Sequence, residues 1–176
     1  MREVKQAVRK RSGYTLTEII IAMIIVAVLV GAATVIGYKS IENARIKSVE
    51  NDMRVFAANI NEAYDQVGAL SIDDSLGAAQ KEEAVTDYLD SLSRYYLSFN
   101  FDLKTLEITA GGFKVNTAEN LLDAWKNPYT MYCSTAGANA GRIIFASSGA
   151  NAKNESEEYE NGKFSDDIVM LIKERE

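Results

Sequence analysis

The chain has 176 residues, 19 basic and 25 acidic side chains, no histidine and one cysteine, Cys133. This excludes intramolecular disulfides, histidine metal sites and histidine general bases, and the length allows one modest soluble core beside any membrane segment. Charge is uneven: residues 1–13 hold Arg2, Lys5, Arg9, Lys10 and Arg11 against Glu3, leaving 14 basic and 24 acidic side chains in the rest, an acidic surface that argues against nucleic-acid binding.

Ile19 to Tyr38 is a run of 20 residues without a charge, and the stretch from Leu16, which takes in Glu18, is 23 residues long. As a helix the longer count is about 35 Å, enough to span a bilayer. A secretory signal has a shorter apolar region followed by its cleavage site; here the small residue, Gly13, comes first, so the helix is expected to stay with the mature chain. The basic tract on one side and the acidic bulk on the other place the N-terminus in the cytoplasm and the C-terminal domain outside. Glu18 stands at the edge of this run, where an ionisable group costs roughly 2–3 kcal/mol or more and calls for a compensating partner. The simpler alternative is a carboxylate snorkelling to the interface. Ala27 and Gly31, then Ala33 and Gly37, recur four apart and permit close helix approach.

The segment Lys10-Arg11-Ser12-Gly13-Tyr14-Thr15-Leu16-Thr17-Glu18, running into the apolar helix, resembles the class III processing site of type IV pilins and type II secretion pseudopilins. The resemblance implies that prepilin peptidase cuts between Gly13 and Tyr14, that the new N-terminus is methylated, and that Glu18 meets the Tyr14 ammonium of a neighbouring subunit during assembly. Tyr14 stands where the family usually has phenylalanine, and the proline common near the end of this helix is absent from Thr34-Val35-Ile36-Gly37.

Beyond Lys39 the positions Ile46, Val49, Met53, Phe56, Ile60, Ala63 and Val67 step by three and four, which predicts an amphipathic continuation of one helix from about Thr15 to Val67. A second amphipathic helix is expected over Gln80–Leu97, with Tyr95, Tyr96, Phe99 and Phe101 in the core. Short β-like runs follow: Leu106–Thr109, Phe113–Val115, Tyr129–Ser134, Arg142–Ala146 and Ile168–Ile172, with hairpin turns at Gly111-Gly112 and Ala136–Gly141. The expected fold is α+β and pilin-like: a long N-terminal helix packed on a small antiparallel sheet. Its organisation would be a cleaved cytoplasmic leader (1–13), a membrane and filament-core helix (14–38) and an exported domain (39–176).

Asp123-Ala124-Trp125-Lys126-Asn127-Pro128-Tyr129 resembles the turn leading into the sheet of major pseudopilins. Ser147-Ser148-Gly149-Ala150-Asn151, followed by Ser165-Asp166-Asp167-Ile168, resembles their calcium loop, with Asn151 in place of the usual acid. By that resemblance Ser148, Asn151, Asp166 and Asp167 would hold calcium, supplemented by a loop containing Glu155, Glu157, Glu158 and Glu160; the alternative is an acidic loop whose charges face water. The chain has no Gly-x-Ser-x-Gly elbow, phosphate loop or dinucleotide fingerprint, so an anchored enzyme is not expected. The function implied is a subunit of a type IV pilus, competence pilus or pseudopilus. Its partners would be further copies of itself, minor pilins, prepilin peptidase and an inner-membrane assembly platform with a cytoplasmic ATPase. The competing role is a minor tip or competence pilin acting as a binding module.

Overall fold

The computed structural model describes residues 14–73, 75–95, 100–135, 141–153 and 166–173. It is α+β and pilin-like: helices α1 (Leu16–Val67) and α2 (Ala78–Tyr95) precede strands β1 (Phe101–Thr109), β2 (Gly112–Thr117), β3 (Thr130–Ser134), β4 (Ile143–Ser147) and β5 (Ile168–Lys173). The chain divides into two units, 1–42 and 43–176, and α1 contributes to both.

In the first unit the side chains of α1 pack on nothing, and Met23 and Ile36 are each 69% exposed. A helix with apolar residues on every side needs lipid or other helices around it. One helix among the described residues is long and apolar enough to cross a membrane, and it is this one. Thr34 donates its hydroxyl to the Gly31 carbonyl at 2.8 Å, so the polar group is satisfied within the helix.

In the second unit the three-and-four spacing has the expected result: Val49, Met53, Ile60, Ala63 and Tyr64 of α1 are buried, while Ile46, Phe56 and Val67 are partly covered. The helix ends at Gly68, whose N–H donates to the Tyr64 carbonyl at 2.7 Å. Its φ of +83° is a left-handed cap conformation that glycine adopts without a Cβ penalty. α2 starts where the Gly77 N–H donates to the Gln80 side chain at 3.1 Å, and it buries Val85, Tyr88, Leu89 and Leu92. The Tyr88 hydroxyl donates to the Gly68 carbonyl at 3.2 Å, tying the second helix to the end of the first.

The sheet is a meander, β1-β2-β3-β4-β5, antiparallel throughout. Alternation sends Phe113, Val115, Met131, Cys133, Ile143 and Phe145 to the face that joins the helices in one core. Phe56 of α1 sits over Tyr129 and Phe145 with ring centroids 5.4 and 5.3 Å away, and those two rings stack at 5.4 Å. On the opposite face Lys114 lies 5.6 Å from the centre of the Tyr132 ring and 3.7 Å from Glu107.

Two expectations change. β1 begins at Phe101 rather than Leu106, because its pairing with β2 shifts register between Asp102 and Glu107 and this irregularity breaks the alternation that marks a strand. Phe101 is buried as expected, whereas Tyr95 is 53% exposed. It is the last residue of α2, beside a shallow hollow shared with Gln66, Val67, Ser91 and Arg94, beyond the reach of the core. Tyr96 and Phe99 lie outside the described residues, as do 136–140 of the second hairpin turn; the ends of that turn meet through the Gly141 N–H and the Ser134 carbonyl at 2.8 Å.

Candidate functional site

The N-terminal end of α1 forms a capping box. Thr15 is the N-cap: its hydroxyl accepts the Glu18 N–H at 3.3 Å, and the Glu18 carboxylate reaches back to accept the Thr15 N–H at 3.4 Å. Two donors that a helix start leaves without partners are thereby met, and the acid sits at the positive end of the helix dipole. The Thr-x-x-Glu spacing in the sequence carries this signal, and it gives Glu18 a role in the helix cap beside those of assembly residue or interfacial carboxylate. Tyr14 directly precedes this cap and is 81% exposed. Gly13 and the basic tract lie outside the described residues.

The second region joins the turn before β3 to the loop after β4. Asp123, buried at 5% exposure, accepts the N–H groups of Trp125 at 2.9 Å and Asn127 at 2.8 Å, and its other oxygen accepts the Ser147 hydroxyl at 2.6 Å. Backbone bonds between the Asp123 N–H and the Asn127 carbonyl (2.8 Å) and a bridge between Leu122 and Pro128 close the turn, with Lys126 at a left-handed φ of +70°. Asn127 then donates its side-chain amide to the Gly149 carbonyl at 2.8 Å, while the Gly149 N–H donates to the Ser147 oxygen at 3.3 Å. The turn is thus tied to the neighbouring loop through Asp123 and Asn127.

Of the four residues expected to hold calcium, Asn151 and Asp166 are in direct contact and Asp167 is the next residue, buried at 9% exposure. Ser148 lies between the anchored residues Ser147 and Gly149. The Asn151 backbone N–H donates to Asp166 at 2.9 Å and its side-chain nitrogen donates to the other carboxylate oxygen. The Asn151 side-chain oxygen is turned away, accepting the Lys153 N–H at 2.6 Å. Asp167 takes part in a further interaction, and among the described residues its Oδ1 accepts no hydrogen bond. Calcium needs six to eight oxygens directed at one point, and here an amide nitrogen faces the carboxylate instead. The described residues therefore do not fit a calcium shell, and among them no group of three or more His, Cys, Asp or Glu is placed to hold a metal. Glu155, Glu157, Glu158, Glu160 and Ser165 lie outside the described residues.

Residues 8–34 match the family model described as the prokaryotic N-terminal methylation motif. The chain carries a class III signal of the type IV pilin and pseudopilin kind. The methylation motif covers Gly13, Tyr14, the Thr15–Glu18 capping box and most of the exposed apolar helix, all within the first unit. No curated protein and no solved structure matches the chain.

Proposed function

We propose that the chain is a structural subunit of a type IV pilus-like or type II secretion pseudopilus filament, polymerised through α1 after prepilin peptidase cuts between Gly13 and Tyr14. The observation that carries this reading is a methylation motif leading directly into an apolar helix whose side chains pack on nothing in the first unit and whose one acid between Leu16 and Tyr38 is Glu18. Such a helix has two media that suit it, the bilayer before assembly and the packed helices of a filament core afterwards.

In the precursor Glu18 has the Thr15 N–H as a partner. Cleavage creates an α-ammonium on Tyr14, one residue away from that donor, and a helix in an offset neighbour brings its own ammonium to the same carboxylate. An ammonium adds the attraction of opposite charges to the hydrogen bond, and in a medium of low dielectric this makes it a stronger partner for the carboxylate than the uncharged backbone N–H. Partners in this reading are further copies of the chain, minor pilins, the peptidase and a membrane assembly platform driven by a cytoplasmic ATPase.

Glu18→Leu tests it. Insertion in the membrane is expected to persist or improve, because an expensive group is removed, while filaments in sheared fractions fall to a small fraction of wild type. Full filament yield from the Leu variant, measured by imaging and by protein mass, would show that the carboxylate takes no part in assembly.

A further inference from the structure

We propose that Asn151 closes the 147–153 loop onto the start of β5 without a metal ion, its amide supplying to Asp166 the positive end that a bound cation would supply to an acidic residue at this position.

The orientation of the amide is set by its two ends together. Lys153 N–H requires an acceptor and takes the Asn151 side-chain oxygen at 2.6 Å, so the NH₂ group faces the Asp166 carboxylate; the reverse placement would set two oxygens against each other and two donors against each other. The second Asp166 oxygen accepts the Asn151 backbone N–H at 2.9 Å, so both carboxylate oxygens are engaged by one residue. A loop backbone that comes this close to β5 needs a residue without a side chain, and Gly149 supplies it: its φ is +58°, and a Cβ there would overlap the Asp166 carbonyl oxygen. The rest of the loop is held from the other side by Ser147 on Asp123 and by Asn127 on the Gly149 carbonyl. The loop is thus anchored on the turn before β3 and on β5 through neutral donors. An aspartate at 151 would keep nearly the same shape and place carboxylate against carboxylate, a repulsion that a divalent cation relieves and an amide does not create.

The full chain in detergent micelles is melted in chelator and in millimolar calcium, as wild type and as Asn151→Asp and Asn151→Ala. The wild-type midpoint is expected to be the same within a degree in both buffers. Asn151→Asp is expected to melt several degrees lower in chelator, and Asn151→Ala, which loses the donor without adding charge, to fall by less. A wild-type midpoint that drops by several degrees on chelation would overturn the proposal, because an ion would then be holding the domain. Asn151→Asp with an unchanged midpoint in chelator would overturn it too. The midpoint reads folding, so the outcome is separate from that of filament assembly.

Discussion

Asp123 is the residue on which the candidate loop depends most. It is a buried carboxylate with three close donors, from Trp125, Asn127 and Ser147. Asp123→Ala leaves those donors without their acceptor at the base of the loop, and the expected loss is about 3 kcal/mol, measured as a lowered denaturant midpoint. Ser147→Ala removes one bond and should cost less. Cys133 gives a pH prediction. Burial pushes its thiol up to about 12 from an ordinary value of 9.0, so the folded chain keeps the proton at a pH where the unfolded chain has lost it. Stability from this group is complete below about pH 9 and declines as pH rises toward the folded value. Tyr88 and Tyr129 are raised as well, chiefly by burial, with the charges of Asp52 and Asp123 adding to the shift of Tyr129; they act from their ordinary value of 10.0 upward. Between pH 9 and 10 the alkaline slope of the denaturant midpoint should therefore be shallower in Cys133→Ala than in wild type. An identical slope would mean that the thiol ionises freely in the folded state.

The elements divide into those whose signal is local and those whose partner is distant. α1 was legible because Val49, Met53, Ile60 and Ala63 recur at helical spacing with no breaker before Gly68. β2, β3 and β4 were legible from their apolar runs and intervening turns. The start of β1 was hidden by the register shift after Asp102, and the exposure of Tyr95 by its position at the very end of α2, where spacing alone does not say whether core lies opposite. The Asp123–Ser147 bond joins residues 24 apart, and no pattern within either segment announces it. Asn151 could be placed near Asp166 by resemblance, but which end of its amide faces the acid depends on Lys153 and is a property of the folded loop. Between α1 and the sheet, the Phe56, Tyr129 and Phe145 rings and the bond from the Tyr129 hydroxyl to Asp52 at 3.4 Å form the central contact. Phe145→Ala at 0% exposure should cost about 3–5 kcal/mol. A midpoint shift corresponding to less than 1 kcal/mol would show that this contact is not what joins helix to sheet.

At the scale of the molecule, the two units differ in what they bury. Residues 43–176 bury their own core, with no need of a partner for it. The α1 side chains of the first unit, by contrast, bury almost nothing and remain apolar on all sides up to Tyr38. In the proposed function the membrane and then the filament complete this unit, and the basic tract ahead of it sets the orientation of the precursor in the membrane. The same reading predicts what the mature subunit weighs. Intact-mass measurement of the main protein in sheared filaments tests the central claim most directly. The expected mass is that of Tyr14–Glu176 plus one methyl group; filaments that lack this chain, or a chain that keeps residues 1–13 in a cell with active prepilin peptidase, would contradict it.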